Sequence, residues 1–409
     1  MELRRLYKTI ENLATQNFHN EAELLESMLK EIVRNEEIPV KGGRVWKFEP
    51  RSAGYVLLHQ LGDIEKIKRR YKLDVDEYPM FLELPKRRTM LANETDAYLR
   101  DRGITTYSAT GVGEKVRWNN HLLYQYILAV NSDFMDENLG YTLGIIGSAL
   151  TAALKSASIE RKATILESDL DKAREIQRSI LPEHEVRFHN YEIYGVSIPA
   201  RIVGGDFFDY LQGAEDSDRF AVVIGDAVSK GLSAAAQALY VSGALRMGAE
   251  FQTKISTLIT KTNKLMHRTF PDENFVTLFY GELVKDTKGL LIYANAGHNS
   301  PILVHNDCSI EYLGPTGQML GPFLGETYGT ESAHMKKGDI LLLYTDGVTE
   351  AMNESGEFFG EQRLAELLCT YQRQSAKEIT QVLLEEVEKF SVRNDQSDDM
   401  TLVVIRRTQ

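Results

Sequence analysis

Four aspartates in the C-terminal part of the chain stand at the ends of apolar runs. Asp206 follows Val203-Gly204-Gly205, Asp226 closes FAVVIGD, Asp346 closes ILLLYTD, and Asp398 opens DDMTLVVI. One such aspartate ordinarily serves a turn. Four of them, each beside a glycine or a second aspartate, point to carboxylates gathered at the rim of a packed sheet. Oxygen donors of this kind suit hard dications such as Mg2+ and Mn2+. Two ions about 3.5–4 Å apart bring the pKa of a shared water toward roughly 7 and clamp a phosphoryl group for in-line attack. Such chemistry needs no nucleophilic side chain, and neither Cys308 nor Cys369 sits in an electropositive motif. No His/Cys cluster offers a zinc site instead.

The elements that must position these carboxylates read as an α+β arrangement from 185 to 409. Strands are expected at Tyr191–Ser197, Phe220–Ile224, Phe275–Leu283, Leu290–Ala294, Ile302–His305, Ile340–Tyr344 and Met400–Ile405. Helical stretches are expected at Ser229–Phe251 with Ile255–Phe270, and at Glu361–Cys369 with Ala376–Phe390. Strand runs with two helical pairs imply a sheet sandwich flanked by helices. Upstream, residues 156–184 form a helical linker ended by Pro182. Ile159, Ala163, Leu166, Leu170, Ala173, Gln177 and Ile180 follow the spacing of a heptad seam, with Gln177 breaking the apolar set. A coiled coil, joining either two copies of the chain or its two domains, is the expectation.

Residues 1–155 open with an amphipathic helical pattern over the first 33 residues, followed by strands at Gly43–Phe48 and Gly54–Gln60 joined by a turn at 49–53. A helical middle, a strand at Leu122–Val130 and a helix at Gly140–Leu154 complete an α+β domain. Leu143–Leu154 is apolar over about 12 residues, short of the roughly 20 needed to span a bilayer, so a packed helix is expected. The chain carries 47 Lys+Arg against 59 Asp+Glu, a net charge of −12, which argues against nucleic acid as the main partner. With 43% hydrophobic and 26% charged residues it is an ordinary globular chain. No signal peptide stands out. Two cysteines exclude a disulfide scaffold and fit a cytoplasmic setting.

Taken together, Arg201–Tyr210 (RIVGGDFFDY), Ile224–Ser233 (IGDAVSKGLS), Tyr293–Pro301 (YANAGHNSP), Tyr344–Glu350 (YTDGVTE) and Asp398–Thr401 (DDMT) resemble the SpoIIE-type bacterial phosphatases. These are the sigma-factor-regulating branch of the metal-dependent protein phosphatases, similar to eukaryotic protein phosphatase 2C. Ala173–Pro182 resembles the helix that enters the domain in that family. The resemblance implies a serine/threonine phosphatase using two Mn2+ or Mg2+ ions. Asp226 would bridge the ions with the Ala227 carbonyl as a further ligand. Asp346 and Asp398 would complete one site and Asp206 would serve the other. Asp209 is a weaker candidate and Asp399 a supporting residue. Arg201, five residues before Asp206, is expected to hold the substrate phosphate. The implied substrate is a phosphorylated anti-sigma-factor antagonist of STAS type.

Two departures stand out. Ser229 occupies a position usually held by glycine in a tight turn. Val228 replaces the histidine of the eukaryotic branch, and His298 is expected to structure its loop rather than to replace it. Gly204-Gly205-Asp206-Phe207-Phe208 lacks the second acid of a diguanylate cyclase signature, and Gly111-Val-Gly113 is not a full phosphate loop. Residues 1–155 resemble a GAF-type sensor domain in element order, with Trp46, Tyr55, Tyr107 and Tyr124 as candidate pocket aromatics. The competing reading of the whole chain is a pseudophosphatase that binds a phosphoprotein without turning it over.

Overall fold

The computed structural model describes residues 18, 20–34, 40–78, 80–92, 95, 97–132, 136–212, 218–251, 253–391, 396 and 398–408. The first part of the expected N-terminal helical pattern, 1–17, lies outside the described residues. The chain divides into two compact units, Met1–Leu166 and Glu167–Gln409.

In the first unit, helix α1 (Glu21–Arg34) buries Leu24, Leu25, Met28, Leu29 and Ile32, a stripe set by the 3.6-residue period. Strands β1 (Gly42–Glu49) and β2 (Gly54–Gly62) pair antiparallel across a 3-10 turn at Pro50–Ser52, where proline supplies the helical φ. Among the described residues, the expected helical middle contains two short helices, α2 (Met80–Arg87) and α3 (Ala97–Arg100). Three unexpected strands lie beside them: β3 (Lys72–Asp74), β4 (Thr89–Ala92) and β5 (Tyr107–Trp118). Glycines at 111 and 113 mask the strand pattern of β5. Gly111 is required because a Cβ there would strike the Tyr124 ring at 2.0 Å. With β6 (His121–Asn131) the sheet order is β3-β2-β1-β6-β5-β4.

One face of this sheet packs on α1 and on the first half of helix α4 (Glu137–Ile180), through Leu139, Leu143, Ile146 and Leu150. By length and composition alone α4 could cross a membrane, but 39% of its most apolar window is buried in the fold. The other face carries an aromatic core that includes Trp46, Phe48, Tyr55 and Phe81. Beyond residue 155 the helix is largely exposed, with Ile159 at 59% and Leu166 at 62%.

The second unit stacks two antiparallel sheets between helices. One sheet has the order β15-β12-β11-β10-β9, and the other β14-β13-β16-β17-β8-β7. The first contains β9 (Phe207–Gln212), β10 (Arg219–Ala227), β11 (Val276–Val284), β12 (Leu290–Ala296) and β15 (Glu331–His334). The second contains β7 (Glu185–Phe188), β8 (Tyr191–Ile198), β13 (Ile302–Val304), β14 (Ile310–Tyr312), β16 (Ile340–Tyr344) and β17 (Met400–Arg407). Val222, Ile224 and Phe279 of the first sheet meet Ile193, Leu343 and Val403 of the second in the middle layer. Helices α5 (Leu232–Glu250) and α6 (Ile255–Thr269) cover the outer face of the first sheet. Helices α8 (Gly360–Thr370) and α9 (Ala376–Phe390) cover the second, and a capping box of Ser375 and Glu378 starts α9. Central strands buried on both faces, such as β16, read as continuous apolar runs for this reason.

Cys308 and Cys369 are joined as a disulfide with their Cα atoms 5.5 Å apart. The sequence reading, which set aside a disulfide scaffold, did not anticipate this single bridge. Sequence spacing did not show that the loop after β13 and the end of α8 come together.

Candidate metal centre

Each carboxylate of the expected set stands where a strand enters or leaves the sandwich. Asp226 is the next-to-last residue of β10, a strand paired on both sides by β9 and β11. Asp206 immediately precedes β9, and Gly225 pairs with Phe207, so the two aspartates lie at one end of the same strand pair. Asp346 opens the short helix α7 (Asp346–Thr349) directly after β16, while Asp398 precedes β17, and Tyr344 pairs with Leu402. Thr345 joins the two sheet ends: its Oγ1 donates to Asp206 Oδ2 at 2.6 Å and accepts from the Thr401 N–H at 2.9 Å. Gly347 permits the approach of the last two strands, since a Cβ there would lie 2.0 Å from the Asp399 carbonyl oxygen.

The electrostatics confirm that these groups feel one another. Burial, then Asp346 and Asp398, push Asp226 up to about 7, against a hydrogen bond with Asp206 that works the other way. Asp206, only 4% exposed, is raised well above the usual carboxylate range by burial and then by Asp226. Asp346 is raised by burial, Glu350 and Asp398. Lys230 is the cation that reaches this cluster, with Nζ 3.1 Å from Asp398 Oδ2.

Neighbouring residues hold the ligand-bearing loops. Asp399 accepts from the Ala200 N–H at 2.7 Å and the Gly205 N–H at 2.6 Å, so it fixes the segment carrying Arg201 and Asp206. Arg201 itself is exposed beside this segment. Asp209 is committed elsewhere: Arg246 grips it from Nε at 2.6 Å and Nη2 at 3.0 Å, and Ser242 donates to it. Arg246 also donates to the Ile180 carbonyl, the end of α4. Gln177, which interrupts the heptad pattern, donates to the Gly204 carbonyl at 2.7 Å and accepts from the Gly204 N–H at 3.1 Å. Sequence reasoning missed Gln177, Lys230, Arg246 and Thr345 as site-organising residues. The one available signal was a polar residue at a seam position.

Ser229 adopts φ 101°, the positive region expected of a glycine position, at a cost of about 1–3 kcal/mol. Its Oγ accepts from Gln237, which also bonds the Val228 carbonyl. His298 is buried, with Nδ1 2.8 Å from Thr277 Oγ1, and its N–H donates to Asn295 Oδ1. Burial lowers its pKa to about 4, which keeps the ring neutral within its loop.

The donor set fits dications. It is made of oxygen alone, its crowding raises Asp206, Asp226 and Asp346, and Lys230 is the lysine seen to reach it among the described residues. Among the described residues no three acidic, His or Cys side chains are already drawn together as a ligand group. Mutual repulsion opposes that closure until positive charge enters.

The family model described as stage II sporulation protein E matches residues 216–408. The C-terminal unit is a SpoIIE-family domain. Asp226, Asp346 and Asp398 lie inside the matched residues, whereas Arg201 and Asp206 precede them. Protein IcfG of Synechocystis sp. is 31% identical over 268 residues, 58% of this chain and 41% of that protein. Phosphoserine phosphatase RsbU of Bacillus subtilis is 26% identical over 243 residues, 59% of this chain and 71% of that protein. The chain therefore spans less than half of IcfG. The solved SiaA-PP2C domain of Pseudomonas aeruginosa matches with a TM-score of 0.52 at 21% identity, over 60% of this chain and 98% of that one. That likeness gives the SpoIIE-family unit the protein phosphatase 2C fold.

Proposed function

We propose that this chain is a Mn2+- or Mg2+-dependent phosphoprotein phosphatase acting on phosphoserine or phosphothreonine. The carrying observation is the set of four aspartates at strand ends of both sheets, with Asp206, Asp226 and Asp346 raised by burial and by neighbouring carboxylates. Asp226 and the Ala227 carbonyl, with Asp206, Asp346 and Asp398, are the residues to hold two ions. Bound there, the ions would supply Lewis acidity and an activated water for attack on phosphorus. Arg201, exposed at the end of the segment fixed by Asp399, would bind the phosphate oxygens bidentately. Asp399 and Gln177 hold the Asp206 loop in place.

The substrate class that fits this family is a phosphorylated anti-sigma-factor antagonist of STAS type. The SpoIIE-family relationship and the similarity to a phosphoserine phosphatase support that choice. The first unit serves as a GAF-like regulatory domain in this reading, and the exposed seam of α4 pairs with the same helix of a second copy. Replacing Leu166→Glu with Leu170→Glu should then yield a monomer in sedimentation, and an unchanged dimer would remove the seam from the account.

Phosphate release from a phosphorylated STAS protein, with and without Mn2+, tests the activity. Mn2+-dependent turnover is expected. Tight binding of the phosphoprotein without release would instead favour the pseudophosphatase.

A further inference from the structure

The first unit buries a guanidinium that hydrogen-bonds to neutral oxygens, with Glu65 the carboxylate whose charge acts on it. Arg44 on β1 is only 4% exposed. Its Nη1 donates to Asn131 Oδ1 at 2.8 Å and its Nη2 to the Glu65 carbonyl at 2.6 Å. Both partners are neutral oxygens. Its Nε–H is buried with no hydrogen-bond partner among the described residues. A guanidinium cannot shed its charge as a histidine does. A buried charge normally has an ionic partner, because lone burial is costly.

Arg44 also lines a cavity of about 30 Å3. The other walls include Trp46, Phe81, Leu99, Ile104, Tyr107 and Ile127. A single water needs about 10–15 Å3, so the space admits a small polar group. One cation among apolar and aromatic walls is the pattern of a site for an amphipathic ligand. A guanidinium is a two-point donor of the kind a carboxylate accepts.

We propose that this cavity binds a small organic monocarboxylate, with its carboxylate on Arg44 and its apolar body against Trp46 and Phe81. The larger members of that class enter by displacing the side chains that close the cavity. No residue of the SpoIIE-family unit takes part, so the proposal stands or falls independently of the phosphatase reading.

The chain has two tryptophans, Trp46 and Trp118. In a Trp118→Phe background, emission therefore reports Trp46 alone. The full chain is titrated at constant ionic strength with acetate, isobutyrate and benzoate, and with the neutral isobutyramide and benzamide. Saturable change is expected for at least one acid, with its amide weaker by about 10–100-fold, the worth of charged hydrogen bonds. Arg44→Met should erase the difference between acid and amide. If that variant does not fold by circular dichroism, Ala129→Leu keeps the guanidinium, fills the cavity and should abolish binding. The proposal is overturned if no acid saturates by about 10 mM, if acid and amide bind alike, or if a folded variant binds as the parent does. In the first case water satisfies Arg44.

Discussion

The two units bury opposite charges in different ways. In the SpoIIE-family unit, Asp206 is as buried as Arg44 is in the first unit, at 4% exposure each. Asp206 belongs to a crowd: Asp226 raises it and Thr345 bonds it, with Asp346 and Asp398 close enough to act on Asp226. Arg44 has no such crowd: two neutral oxygens hold it and the Glu65 charge attracts it. A crowd of like charges at a rim is unfavourable until cations arrive, and carboxylates can lower the cost by taking up protons. A guanidinium has no such escape. The comparison teaches that burial cost by itself does not identify a ligand; the sign, number and titratability of the groups do.

The largest expected effect breaks the crowd. Asp226→Asn should lower kcat by about a thousandfold or more, since several kcal/mol of transition-state stabilisation would depend on the ions it is proposed to hold. The variant should keep its fold, and its melting temperature without metal should rise because repulsion with its neighbours is relieved. Near-normal turnover at saturating Mn2+ would dissolve the contrast between the two units.

His298 sharpens the point about titratability. Its folded pKa of about 4 lies below the ordinary 6.5, so its contribution to stability is complete above pH 6.5 and is lost as pH falls toward 4. The loss amounts to about 3 kcal/mol. Comparing denaturant midpoints of wild type and His298→Gln between pH 7.5 and 4 should show a flatter acid limb for the variant. Parallel curves would mean that the ring is not the group being protonated.

Smaller effects test how the rim is used. Arg201→Ala should reduce kcat/KM by about 1.5–3 kcal/mol while leaving Mn2+ affinity alone, as expected for loss of a charged hydrogen bond to phosphate. A change within twofold would make Arg201 an ordinary exposed residue. Gln177→Ala removes two neutral hydrogen bonds to Gly204, worth about 1–2 kcal/mol together. Because Gly204 precedes Asp206, the proposed ligand, by two residues, calorimetry should show weaker Mn2+ binding, partly restored in Gln177→Asn only if the shorter amide still reaches.

Much of the second unit is legible in the amino-acid sequence. Asp226, Asp346 and Asp398 follow strand-length apolar runs or open one, and that local signal survives folding because a strand delivers its last residue to a sheet edge. The short strands β7, β14 and β15 were not legible, since three or four residues carry too little periodicity. In the first unit, Gly111 and Gly113 hid β5. Arg44 gave no signal at all: a lone arginine in an alternating strand looks like any solvent-facing charge.

The residue order alone determined which carboxylates the SpoIIE-family unit owns, the strand ends they occupy and the oxygen-only chemistry they can support. Tertiary structure decided who is joined to whom. It gave Asp209 to Arg246 rather than to the rim, paired Cys308 with Cys369 across 61 residues, and turned Gln177 from a flaw in a heptad into a clamp on Gly204. It also buried Arg44 rather than leaving it in water. The physical reason is range. Periodicity and turn chemistry act over a few residues, whereas ion pairs, disulfides and burial depend on contacts between segments that only packing brings together.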